Sequence, residues 1–79
     1  MPTSTITDAE ILAAVEGPGS KSLAIASLRR GIASGGPERI TTGRRALAYE
    51  LRDLDYPANL MITVLDACER AIRAEAAAR

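Results

Sequence analysis

Residues 57–78, PANLMITVLDACERAIRAEAAA, decide the fold class of this chain. Apolar residues recur here at the spacing of one face of an α-helix, without the alternation of a β-strand. They are Met61, Val64, Leu65, Cys68 and Ile72. Pro57 suits the first turn of a helix, because the N–H that it lacks would have no partner there. The stretch predicts a long helix over residues 57–77, frayed at 75–79 where the alanine tail has nothing large to bury.

Breaks that contain glycine or proline divide the rest of the chain. They lie at residues 17–19, 35–37 and 55–57. Apolar residues between the breaks repeat with a helical period, which predicts three further helices over residues 8–16, 20–34 and 42–54. Short connections make such helices pack antiparallel or crossed. We expect residues 1–79 to form one all-α domain, a compact bundle of about four short helices, with residues 1–5 frayed.

Helix-capping signals support these boundaries. Thr7 followed three residues later by Glu10 forms a capping box, in which each side chain bonds to the other residue's backbone N–H. Residues 35–41 are predicted to be a loop. Thr41 or Thr42 is then the expected N-cap of the third helix.

The composition excludes most catalytic chemistry. The chain has no His, and therefore lacks the commonest general base and the commonest metal ligand. Its one cysteine, Cys68, cannot form an internal disulfide or a cysteine-based zinc site. The position of Cys68 on the apolar stripe predicts a small buried hydrophobic side chain. We expect no enzyme activity, no cofactor and no metal ion.

Charge is segregated along the chain, although the formal net charge is zero. Residues 18–52 contain seven basic and two acidic residues, whereas residues 1–17 contain three acidic residues and no basic one. Arginine can hold a carboxylate or a phosphate with two parallel hydrogen bonds. The arginines of the basic segment are therefore candidates for partner binding, unless they pair with the domain's own acids. They are Arg29, Arg30, Arg39, Arg44, Arg45 and Arg52.

The start of the fourth predicted helix is apolar nearly all round, because Leu60, Ile62 and Val64 point in different directions from the helix axis. Such a helix is either central to the domain or covered by a partner chain. The second alternative makes Leu60 and Ile62 candidates for a homodimer interface. Tyr49 and Tyr56 can serve as exposed interface anchors or as side chains at the edge of the core.

A small DNA-binding transcriptional regulator is the alternative function. The basic segment suits phosphates, and a third helix with Arg44, Arg45 and Arg52 can enter a groove of the duplex. The helix-turn-helix spacing is poor, because Pro18 would lie inside the motif and Glu16 would replace an apolar residue.

The sequence favours a small non-enzymatic protein-interaction module over DNA binding. Such a regulator, adaptor or phage-type inhibitor would act as a homodimer on a protein partner with an acidic surface. An arginine- and alanine-rich composition is typical of a GC-rich bacterial or phage genome. The polar residues 1–10 do not resemble a secretory signal, and the apolar run at 60–65 is too short for a membrane span. We therefore expect a cytoplasmic protein with no membrane partner.

Overall fold

The computed structural model describes residues 6–17 and 22–78. Four helices follow one another in this part of the chain, and it contains no strand. They are α1 (Asp8–Glu16), α2 (Leu23–Ser34), α3 (Pro37–Asp53) and α4 (Ala58–Ala77). The prediction of an all-α bundle of four helices is confirmed. Residues 1–5, predicted to fray, and Ser20, where the second helix was expected to begin, lie outside the described residues.

The predicted loop over residues 35–41 is wrong, because α3 begins at Pro37. Only Gly35 and Gly36 connect α2 to α3. Proline ends one helix and also favours the first turn of the next, since its fixed φ is already helical. Thr41 and Thr42 therefore lie inside α3 and do not cap it. Their hydroxyls donate to main-chain carbonyls one turn earlier, at 2.9 Å each.

The starts of α1 and α2 each have a capping side chain. The predicted capping box is present, because Thr7 Oγ1 accepts from the Glu10 N–H at 3.1 Å and Glu10 Oε1 accepts from the Thr7 N–H at 3.1 Å. In α2 the N-cap is Ser22, whose Oγ accepts from the Ile25 N–H at 3.1 Å. The second helix therefore starts at Leu23, later than the predicted residue 20.

A left-handed residue ends α3 and turns the chain into α4. Asp55 has φ 62°, and it is the only described non-glycine residue with a positive φ. The Asp55 N–H donates to the Arg52 carbonyl at 3.0 Å, and the Tyr56 N–H donates to the Leu51 carbonyl at 3.1 Å. These two bonds form a Schellman motif, which satisfies carbonyls that a helix end leaves without partners. Tyr56 also packs against the core that contains Leu51, as this motif favours.

The core joins two helix pairs, because α2 packs mainly on α3 and α1 packs mainly on α4. The largest fully buried side chains are Ile25, Leu28, Leu47, Leu51 and Cys68. The backbones of α2 and α3 approach closely at two glycines. A Cβ at Gly31 would lie 2.8 Å from the Arg39 carbonyl oxygen, and one at Gly43 would lie 2.7 Å from the Leu28 Cα. This approach sets the position of α3, and with it the solvent-facing side of that helix.

Candidate protein-interaction surface

The six predicted partner-binding arginines fall into two groups. Arg29 has its ion-pair partners within the domain, because its guanidinium contacts Glu16 at 2.6 Å and Glu75 at 3.2 Å. The hydrogen bond with Glu16 is the main reason that the pKa of Arg29 lies above its ordinary value. Glu16 is the more buried partner, with 11% of its side chain exposed. Arg29 therefore links α1, α2 and α4.

Arg44 is the second arginine with internal partners. It donates to Asp66 and Glu69 of α4, at 2.8 Å each, and Arg73 also contacts Glu69 at 2.9 Å. Burial favours neutral Arg44, but the hydrogen bonds to Asp66 and Glu69 raise its pKa above the ordinary value. The sequence places Arg44 on the polar side of α3, but it does not show that α4 presents carboxylates there. Arg44 therefore fastens α3 to α4.

The other four arginines are exposed, and none makes an ion pair with another residue in the described part of the chain. We call them the arginine face: Arg30, Arg39, Arg45 and Arg52. Arg30 and Arg39 border one shallow hollow of about 310 Å³ between α2 and the start of α3. Arg45 borders the next hollow along α3, of about 340 Å³. Glu38 lines both hollows, so the arginine face also contains an acidic residue.

A groove of about 130 Å³ between α3 and α4 continues the arginine face. Arg45 and Arg52 border it, and Ala48, Tyr49 and Met61 also line it. The Tyr49 residue is 61% exposed, whereas Tyr56 is half-buried against the core. Of the two tyrosines, Tyr49 is thus the one available as an interface anchor.

Leu60 and Ile62, the predicted dimer residues, are both exposed, at 46% and 61%. They lie two positions apart on one helix, and are therefore about 160° apart around its axis. Ile62 shares a stripe with Asp66 and Glu69, which contact Arg44 of α3. Ile62 therefore lies on the α3 side of α4, and Leu60 on the opposite side. The two side chains belong to different surfaces.

Leu60 belongs to a group of exposed leucines at one end of the bundle. The Ser22 hydroxyl donates to Glu50 Oε1 at 2.7 Å, which brings the start of α2 to the last turns of α3. Leu54 follows the last residue of α3 at this place, and α4 begins a few residues later, at Ala58. We call the exposed side chains here the leucine end: Leu23, Leu54 and Leu60. The sequence pattern points to Leu60 alone, because Leu23 and Leu54 are at helix ends that only the fold brings together.

The thiol of Cys68 is buried. Cys68 is fully buried, as predicted, and burial raises the pKa of its thiol to about 11. Within residues 6–17 and 22–78, no group of His, Cys, Asp and Glu side chains is arranged to hold a metal ion. None of the helices in these ranges has the length and hydropathy that crossing a membrane requires.

Comparison of the chain with protein-family models, with curated proteins and with solved structures found no match. The evidence for function is therefore the surface itself. Its exposed arginines can each hold a carboxylate or phosphate through two hydrogen bonds. The groove between them adds tyrosine and methionine, which are enriched in the cores of protein interfaces.

Proposed function

We propose that this chain is a small non-enzymatic protein-interaction module, a regulator, adaptor or inhibitor, that binds an acidic segment of another protein. The observation that carries the proposal is the combination on α3 of exposed Tyr49 with Arg45 and Arg52, neither of which makes an ion pair within residues 6–17 and 22–78. Arginine and tyrosine are enriched among the few residues that contribute most of the binding energy of protein interfaces. A partner with carboxylates around an apolar side chain complements this surface.

DNA binding is the second candidate, because the four exposed arginines also suit phosphates. One feature of the surface favours a protein partner instead. Exposed Tyr49 and Ile62 add apolar area, from which contacts to phosphates gain little.

We propose that the module self-associates through the leucine end. The arginine face suits a second copy poorly, because its four arginines would then face like charges. In contrast, residues 56–65 contain no charged side chain, so this part of α4 can face its own copy. Sedimentation equilibrium tests the proposal. We expect Leu60→Asp to abolish self-association, whereas Ile62→Asp, on the opposite side of α4, retains it. A monomeric unsubstituted chain would contradict the proposal.

Fluorescence anisotropy of a labelled peptide tests partner binding. The probe is a peptide of glutamate and leucine in scrambled order, titrated with the full chain from low to physiological salt. A mixed-sequence DNA duplex is titrated in parallel. We expect the peptide to bind with an affinity that falls as salt increases, and the duplex to bind more weakly.

Two double variants with the same net charge locate the binding surface. Arg45→Gln with Arg52→Gln should weaken peptide binding by about tenfold. Arg70→Gln with Arg73→Gln should change it little, because these exposed residues of α4 pair with Asp8 and Glu69 and do not border the groove. Equal losses in the two variants would assign the binding to net charge alone and remove support for the arginine face. Tight duplex binding without peptide binding would favour the DNA-binding alternative.

A further inference from the structure

We infer that the groove between α3 and α4 binds an amphipathic helix whose two carboxylates are two helical turns apart. The inference rests on the proposed function and specifies the shape of the partner. Arg45 and Arg52 are seven residues apart on α3, and both border the same groove. With a rise of 1.5 Å per residue, their backbone positions are about 10.5 Å apart along the helix axis. Seven residues are nearly two full turns, so both side chains leave α3 on the same side.

A partner helix reproduces this spacing directly. Two glutamates seven positions apart on such a helix are also separated by about 10.5 Å and lie on one face. An extended segment does not match, because side chains on one face of a strand are about 7 Å or 14 Å apart. Two strand residues that are three positions apart are separated by about 10 Å, but their side chains point to opposite faces. The spacing of Arg45 and Arg52 therefore favours a helix.

The residues between the two arginines define the middle of the ligand. Ala48, Tyr49 and Met61 line the groove there, and Ala48 and Met61 are partly buried against the core. Small and flexible apolar side chains at these positions leave room for an apolar side chain of the partner. The partner helix should therefore have apolar residues three and four positions after the first carboxylate, on the same face as both carboxylates. Docking an apolar helix face into a groove is a common mode of peptide recognition.

The test compares two designed peptides of identical composition, each an alanine-based helix of roughly 20 residues with one fluorophore. The matched peptide has two glutamates seven positions apart, with leucines three and four positions after the first. The comparator has its glutamates five positions apart, which places them on different sides of the helix. Anisotropy titrations with the full chain should give an affinity at least about fivefold higher for the matched peptide.

Single substitutions then locate the contacts. Arg45→Gln and Arg52→Gln should each weaken matched-peptide binding by about threefold. Arg30→Gln is the control, because Arg30 is exposed on the arginine face but does not border this groove. It should change the affinity by less than about twofold. In addition, replacing either peptide glutamate by glutamine should remove the effect of one of the two arginine substitutions and preserve the other.

The outcomes separate this inference from the proposed function. Equal affinities for the matched peptide and the comparator would overturn the helix register, and so would an equal loss in the Arg30→Gln control. In both cases the proposed function stands if the scrambled acidic peptide still binds and the Arg45→Gln, Arg52→Gln double variant weakens it. If the scrambled, matched and comparator peptides all fail to bind, both the helix register and the proposed function are overturned. The peptide comparison uses the unsubstituted chain, so it does not depend on any variant being folded.

Discussion

The backbone of α3 at Gly43 lies directly against Leu28 of α2, since a Cβ at Gly43 would be 2.7 Å from the Leu28 Cα and 3.0 Å from its nitrogen. These are main-chain atoms that cannot rotate away. Alanine is a better helix former than glycine by about 1 kcal/mol, so helix propensity alone predicts that Gly43→Ala stabilises the protein. The close contact with Leu28 predicts the opposite, namely that Gly43→Ala destabilises the protein.

We expect Gly43→Ala to lower the free energy of unfolding by about 1–3 kcal/mol, as overpacking does elsewhere. Urea denaturation monitored by circular dichroism measures the change. Gly36→Ala is the steric control, because the nearest atom to a Cβ there is 3.6 Å away. Gly36 is the N-cap of α3, where alanine is less favourable than glycine. This substitution should therefore lower stability by up to about 1 kcal/mol, which is less than the effect of Gly43→Ala. A stabilised Gly43→Ala variant would show that α2 and α3 are farther apart than described.

Asp55 should be the most sensitive residue of the turn between α3 and α4. Its φ of 62° is a conformation that glycine adopts without strain and that β-branched residues adopt rarely. We expect Asp55→Gly to preserve stability or raise it by up to about 1 kcal/mol, and Asp55→Val to lower it by about 1–2 kcal/mol. Thermal melts of the unsubstituted chain and of the two variants measure their order of stability. If Val is tolerated as well as Gly, the Schellman turn is not the conformation in solution.

Stability should fall in acid partly because of Glu69. Burial would raise the pKa of this carboxyl, but the hydrogen bonds from Arg73 and Arg44 hold it below the ordinary value of 4.5. A carboxyl with a lowered folded-state pKa contributes stability that is complete above its unfolded-state pKa and is lost as the pH falls through the folded-state pKa. Urea titrations should therefore show stability decreasing below about pH 4.5, with a shallower decrease in Glu69→Gln. Identical slopes would exclude Glu69 as a source of the effect.

Cys68 should react slowly in the folded protein. Burial raises the pKa of its thiol to about 11, so the reactive thiolate is scarce near neutral pH. This shift stabilises the folded state below the ordinary thiol pKa of 9.0, and the contribution is lost as the pH rises through about 11. A chromogenic disulfide reagent at pH 8 should modify Cys68 at a rate that rises steeply with urea. Rapid modification without urea would place the thiol at the surface.

Local signals in the sequence were sufficient for the helix type and for several ends. The capping box of Thr7 and Glu10 involves two residues only three positions apart, so the sequence is enough to predict it. The apolar stripe of α4 likewise follows from the helical period alone. Pro37 is ambiguous because proline both stops a helix and starts one. The sequence therefore predicts a loop over residues 35–41, whereas in the structure only Gly35 and Gly36 connect the two helices.

Features that depend on two helices could not be predicted from one of them. In the sequence, Gly31 weakens α2, whereas in the fold it is a point where α3 approaches closely. The pairing of Arg44 with Asp66 and Glu69 requires knowledge of which sides of α3 and α4 meet. The sequence alone therefore does not distinguish the six candidate arginines, although Arg29 and Arg44 join helices of the bundle.

The packing of α1 on α4 affects the order in which the helices can pack during translation. The contacts between α2 and α3 are local, and their connection is only Gly35 and Gly36, so this hairpin can form as soon as both helices exist. In contrast, Leu12 and Val15 of α1 are buried mainly against α4, which leaves the ribosome after the other three helices described here. During translation the first helix therefore remains without its main apolar partner until α4 has emerged. Until then α1, which is too short to be stable alone, depends on its capping box for helical structure.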